Sequence, residues 1–92
     1  MYAVKATTRF QRDLKRAEKR GYKIELLTAV VKKLATGELL DQIYDDHPLK
    51  GRYKGYRECH ITPYWLLIYK IEKENLILVL TRTGTHIDLF QR

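Results

Sequence analysis

The chain reads as an α+β domain in which an N-terminal helical hairpin packs on one face of a mainly antiparallel β-sheet and a short helical turn closes the C-terminus. Three observations point there. Residues 9–35 carry two apolar stripes at helical spacing, interrupted at Gly21. Residues 56–83 fall into three strand-like runs whose connections are too short for anything but hairpins. Thr85 followed by Asp88 has the form of a capping box.

Taken in order, residues 2–7 alternate weakly and suit a short strand, and Thr8 can cap the helix that follows. Over residues 9–20, Phe10, Leu14 and Ala17 share one face, while Arg9, Arg12, Lys15, Arg16, Lys19 and Arg20 occupy the other. Gly21 ends this helix by accepting a left-handed backbone. A second helix, from about Lys23 to Ala35, turns Ile24, Leu27, Val30, Val31 and Leu34 inward and stops at Gly37. Residues 38–55 lose all periodicity and predict a loop with one helical turn, anchored by Leu39, Leu40 and Ile43. Strands then cover residues 56–61, 65–71 and 76–83. The second and third are apolar on both faces and belong in the middle of the sheet. Phe10, Trp65 and Tyr69 are assigned to the core.

A chain of 92 residues supports one domain, expected over residues 1–92. Its formal charge of +7 and pI near 9.6 favour a polyanionic or acidic partner. That excess is local: residues 1–36 hold ten Lys/Arg against three Asp/Glu, whereas the remainder is balanced at eight and eight. The longest apolar run, 76–80, is far short of the about 20 residues a membrane span needs. No signal-peptide pattern opens the chain, so cytoplasmic residence is expected. Cys59 stands alone, which denies it an internal disulfide and leaves it a small buried hydrophobe.

The chemistry concentrates in the second half. His47, His60 and His86 each sit in a polar, Gly- or Pro-punctuated setting, and between the first two lies KGRYKGYR, where cations alternate with aromatics. Imidazole exchanges protons near neutrality without costly tuning. Along the first of the three strands, a period of two puts Arg57, Cys59 and Ile61 on one side and Tyr56, Glu58 and His60 on the other. Cys and Ile suit the helix-packed core, so Glu58 and His60 are expected together on the solvent-facing side, where the carboxylate can orient the ring and stabilise its protonated form. The histidine spacings fit no HExxH or other close-paired metal pattern, and neither a metal nor another cofactor is expected. Imidazoles beside phosphate-binding cations suggest metal-independent RNA cleavage. RNA supplies its own nucleophile in the 2′-hydroxyl, and the protein must supply a base, an acid and positive charge.

Three segments in the same order, DHPLKGRYKGYRECHI, WLLIYKI and RTGTHIDLF, resemble the YafQ branch of the RelE/ParE toxin superfamily. The resemblance is strongest from Asp46 to Phe90, and the N-terminal helices agree in pattern alone. It implies a RelE-like fold, a ribosome-dependent endoribonuclease that cuts mRNA in the decoding site, and a cognate DinJ- or RelB-like antitoxin that silences it. Contact with DNA would be indirect, through that antitoxin.

Carried over residue by residue, the resemblance makes His47, His60 and His86 the family histidines, Phe90 the aromatic closing the site, and Arg82 the arginine before the final Thr-Gly. Glu58 stands where relatives commonly have Asp. Tyr64 stands where YafQ-type toxins usually carry an active-site Asp; a phenol with an ordinary pKa of about 10 is a poor base but can donate a hydrogen bond to phosphate. The roles expected are His86 as general acid, His60 or His47 as base, and Glu58 orienting His60. Arg82, Lys50, Lys54, Arg57 and Tyr64 are candidate phosphate or substrate contacts, and Phe90 stacks on a base. Strand parity, however, sets Arg57 beside Cys59, which also fits a place at the sheet edge. Two other functions are open on the residues alone: a non-catalytic inhibitor that binds a protein target such as gyrase, as ParE-type relatives do, and a basic nucleic-acid-binding module.

Overall fold

A computed structural model describes residues 1–90, so the last two residues of the domain expected over 1–92 lie outside the described residues. The elements follow as β1 (Ala3–Ala6), α1 (Thr8–Lys19), α2 (Ile24–Ala35), β2 (His47–Pro48), β3 (Arg57–Thr62), β4 (Trp65–Glu72), β5 (Ile77–Gly84) and α3 (His86–Phe90). Two single 3-10 turns, Gln42–Tyr44 and Gly51–Tyr53, flank β2. The expected α+β architecture is present. Five strands form one sheet in the order β1-β5-β4-β3-β2, antiparallel except where β1 joins β5 in parallel. No helix among the described residues is long and apolar enough to cross a membrane.

Local signals explain most boundaries. Thr7, not Thr8, caps α1: its hydroxyl accepts from the Phe10 N–H at 3.0 Å and donates to the Thr81 carbonyl at 2.8 Å. The capping residue thus also ties the helix to the sheet, a tertiary bond that sequence cannot weigh. Gly21 and Gly37 take φ of +79° and +83° beyond the two helices, as their positions demanded. The capping box of α3 forms in both directions, with Thr85 N–H donating to Asp88 Oδ2 at 2.9 Å and Asp88 N–H to Thr85 Oγ1 at 3.2 Å. The loop expected over residues 38–55 contains β2, which pairs His47 with Glu58 and Pro48 with Arg57. Two residues are too few to show any periodicity.

The helices cover one face of the sheet. Phe10, Ala17, Leu27, Val30 and Leu34 pack there against Cys59, Ile61, Trp65, Leu67, Tyr69, Leu78 and Leu80. Burial pushes the Cys59 thiol up to about 12. The opposite face is not the open, solvent-facing surface expected. Leu66, Ile68 and Leu89 form a second small core there, flanked by Leu49, Tyr53, Tyr56 and Phe90. β4 is apolar on both faces because each face carries its own core.

A bulge in β5 decides which face its last residues serve. Tyr69 pairs with Leu80 but Ile68 pairs with Arg82, leaving Thr81 as the extra residue. Without it Arg82 would share the helix-packed face of Leu80. With it, Arg82 shares the face of Ile68, and Thr83 turns to the helix side, where its hydroxyl accepts from Trp65 Nε1 at 2.8 Å.

Candidate active site

Strand register assembles the site. Directly paired residues point to one face, so the row His47, Glu58, Ile68, Arg82 crosses β2 to β5 on the side away from the helical hairpin. The next row runs His60, Leu66, Gly84, and His86 follows Gly84 by two residues as the first residue of α3. The three histidines expected to cooperate therefore converge, although 39 residues separate the first from the last. The ring centroids of His47 and His60 lie 6.4 Å apart, and those of His60 and His86 6.0 Å apart. Phe90 sits one helical turn beyond His86 at 5.8 Å and meets Tyr53 edge-on at 6.0 Å.

Glu58 is the buried anion of the cluster, only 4% exposed, which corrects the expectation that it faces solvent. Its Oε2 lies 3.2 Å from His47 Nε2 and 3.9 Å from His60 Nε2. One carboxylate therefore serves two imidazoles, and the closer is His47, not the strand neighbour His60. His47 is fixed at its other nitrogen, with Nδ1 2.6 Å from the Asp45 carbonyl, and Asp45 Oδ2 approaches His60 Nε2 at 3.6 Å. Asp45 adopts a left-handed φ of +48°. Its neighbour Asp46 is pinned on the far side of β3, accepting from Tyr69 Oη at 2.7 Å and Arg57 Nε at 3.1 Å. Burial, together with that bond to Asp46, raises the Tyr69 phenol well above its ordinary range.

The expected cations divide into two groups. Lys50 and Lys54 are exposed on the loop beside the site. Arg57 does not join the imidazoles: it lies on the face of Cys59 and is spent on Asp46, because parity along β3 admits only alternate residues to the site. Arg82 reaches the right face but is buried at 6% exposure and held in a fork by Asp13, with Nε at 2.7 Å and Nη2 at 3.2 Å. The hydrogen bonds it donates to Asp13 hold this guanidinium still more firmly protonated than usual. Asp13 also accepts from the Thr83 N–H at 3.1 Å, on the edge of β5 beyond the end of β1. Tyr64 stands 81% exposed at the β3–β4 turn.

Two features escaped sequence reasoning. Asp88, beyond its capping role, binds Arg20 at 2.6 Å and Arg16 at 3.2 Å, tethering α3 and its His86 to α1. Part of the basic helix face is thereby neutralised within the molecule. The Arg20 hydrogen bonds hold the Asp88 carboxyl far below the usual carboxylate range. Glu58, His60 and His86 also bring one donor atom each to within 4.8 Å of one another, a set that could hold a metal ion. Glu58 Oε1, buried and without a hydrogen-bond partner among the described residues, fits such a role. Spacing rules missed it because the donors come from β3 and α3.

Comparison with known proteins gives a consistent result. The family model described as bacterial toxin of type II toxin-antitoxin system, YafQ, matches residues 2–91. The chain is 42% identical over 82 residues to the mRNA interferase toxin YafQ of Escherichia coli strain K12, covering 88% of this chain and 87% of that one. Its fold superposes on the toxin in the E. coli DinJ-YafQ complex with a TM-score of 0.88 at 36% identity, covering 98% and 99% of the two chains. On a metal-bound toxin from Helicobacter pylori the TM-score is 0.92 at 44% identity, with 98% and 100% covered.

Proposed function

The chain belongs to the YafQ family of toxins of type II toxin-antitoxin systems, and from that premise we propose that it is an endoribonuclease that cuts mRNA in the ribosomal decoding site and so halts translation. The observation that carries this reading is the convergence of His47, His60 and His86 around the buried carboxylate of Glu58. His60 takes the proton of a ribose 2′-hydroxyl, because both nitrogens of His47 already face oxygen acceptors, the Asp45 carbonyl and Glu58. The oxygen attacks the adjacent phosphorus, and His86 returns a proton to the departing 5′-oxygen. The products are a 2′,3′-cyclic or 3′-phosphate and a 5′-hydroxyl. Glu58 steadies the positive charge that His60 gains in the first step and holds His47 in place beside it. Phe90, whose ring lies 5.8 Å from that of His86, stacks on a base in this reading. A metal ion on Glu58, His60 and His86 would supply a Lewis acid at the phosphoryl oxygens; the proton transfers use the imidazoles of His60 and His86 in their metal-free state.

Dependence on the ribosome has a physical basis in the cations. Arg57 and Arg82 are committed to Asp46 and Asp13, which leaves the exposed Lys50, Arg52 and Lys54 of one loop to meet phosphate. Three exposed, flexible side chains on one loop hold a strand loosely and do not align the 2′-oxygen with the departing oxygen. A ribosome that bends the message supplies that alignment. The same reading puts the toxin in the cytoplasm, silenced by a DinJ- or RelB-like antitoxin that presents acidic groups to the basic N-terminal part.

The decisive experiment incubates purified toxin and mRNA with and without ribosomes and maps the cut ends, alongside His86→Ala. Ribosome-dependent ends that vanish in the variant, with antitoxin binding retained, are expected. Equal cutting by His86→Ala excludes catalysis through this imidazole.

A further inference from the structure

Beside the imidazole cluster lies a second feature that the proton transfers do not use. Pro63, Tyr64, Leu66, Thr85, His86 and Ile87 line a cleft of about 320 Å³ between the β3–β4 turn and the start of α3. Its walls are apolar yet wet, with Tyr64 81% and Ile87 69% exposed. Neither side chain contributes to the two cores, so folding alone gives no reason for their place. The floor is rigid: Leu66 is 1% exposed and belongs to the second core. Tyr64 follows Pro63, whose fixed φ stiffens the backbone of the short turn between two paired strands.

We propose that this cleft is a nucleobase subsite for the nucleotide on the 3′ side of the cut, with Tyr64 as its stacking wall. The proposal rests on the nuclease reading and on His86 as the acid. His86 faces His60 across the reaction centre and lines this cleft as well. The oxygen it protonates is the 5′-oxygen of the downstream nucleotide, so that nucleotide's sugar and base must continue past His86. An apolar slot walled by an aromatic ring and an aliphatic side chain accepts the flat face of any base, and no Lys or Arg stands among its lining residues to hold a phosphate. Tyr64 therefore contributes a ring face, not the phenolic hydrogen bond to phosphate that sequence alone suggested. Phe90, on the other flank of His86, is left for a base of a different nucleotide.

The test has two arms. In ribosome-programmed cleavage, Tyr64→Ala should slow cutting on the order of tenfold and redistribute cuts with respect to the base that follows them, while Tyr64→Phe and Tyr64→Trp recover most of the lost rate. In the second arm, an RNA trinucleotide with a 2′-deoxy sugar at the scissile position, which cannot be cut, is titrated into the wild-type protein. NMR signals of Tyr64, Leu66 and Ile87 should then shift and the Tyr64→Ala protein should bind several-fold more weakly. Phe as damaging as Ala would show that the hydroxyl is what matters and overturn stacking. Wild-type rate and cut distribution in Tyr64→Ala would overturn the subsite altogether. Shifts in the cleft from a toxin that cuts no RNA would sustain the subsite and sink the nuclease reading, which keeps the two failures apart.

Discussion

Nε2 of His47 lies 3.2 Å from Oε2 of Glu58, and the two residues are direct register partners across β2 and β3. A strand of two residues thus delivers an imidazole onto a carboxylate that is itself 4% exposed. Glu58→Gln keeps the shape and removes the charge. Cleavage should fall on the order of 10²-fold, because the imidazole that takes the proton loses the anion stabilising its charged form and with it most of the value of a positioned base, with little change in melting temperature. Single-turnover rates on ribosome-bound mRNA read this directly; an unchanged rate would deny Glu58 a part in the chemistry.

Arg82 and Asp13 form the most enclosed ion pair among the described residues, with side chains 7% and 3% exposed. Removing one partner strands the other charge away from water. Asp13→Asn should cost about 3 kcal/mol and also weakens the bond to the Thr83 N–H at the edge of β5. Urea unfolding of Asp13→Asn and of an Asp13→Leu, Arg82→Met double variant would separate the two effects. The double variant should be the more stable of the two, since it leaves no unpaired charge.

The tether from Asp88 to Arg20 and Arg16 predicts a pH signature. The folded carboxyl is held below its ordinary value, chiefly by the Arg20 hydrogen bonds. Its stabilising contribution is therefore complete above about pH 5, begins to fade as the pH drops through the ordinary aspartate value near ~4, and is lost progressively below it. Urea midpoints of wild type and Asp88→Asn should differ most at neutral pH and draw together towards pH 2. A gap that stays constant over that range would mean that the tether is not linked to this ionisation.

Gly84 has φ of +156°, and a Cβ built there would lie 2.9 Å from Asp88 Cβ and Oδ2. Gly84→Ala must push Asp88 aside and with it the start of α3, which carries His86. A loss of about 1–3 kcal/mol is expected, with a larger proportional loss of cleavage than of stability. Cutting that merely tracked the folded fraction would argue against α3 as the element that positions the acid.

Metal dependence separates proton transfer from Lewis-acid chemistry at the same residues. Chelation by EDTA should leave the rate of the purified toxin, measured on ribosomes whose magnesium is replenished, unchanged. Added zinc should inhibit, because Glu58, His60 and His86 can bind it through the groups that move protons. A rate that fell on chelation and returned with zinc would reverse the assignment.

The amphipathic stripes, the glycine stops, the three hairpin strands and the capping box of α3 were all legible because each depends on neighbours in the chain, where period and turn chemistry act. So was the pairing of Glu58 and His60 on one face of β3, since parity is a local property. What sequence could not decide is how strands stack side by side. Register brought His47 to Glu58, a bulge at Thr81 turned Arg82 off the helix-packed face, and Asp13, nearly 70 residues away, then claimed its guanidinium. The second core, on the face that Glu58 shares with Ile68, likewise draws on Leu49, Leu66 and Leu89 from separate segments. Contacts of that kind carry no periodicity, because they are selected by the packing of whole elements and the desolvation of the charges between them.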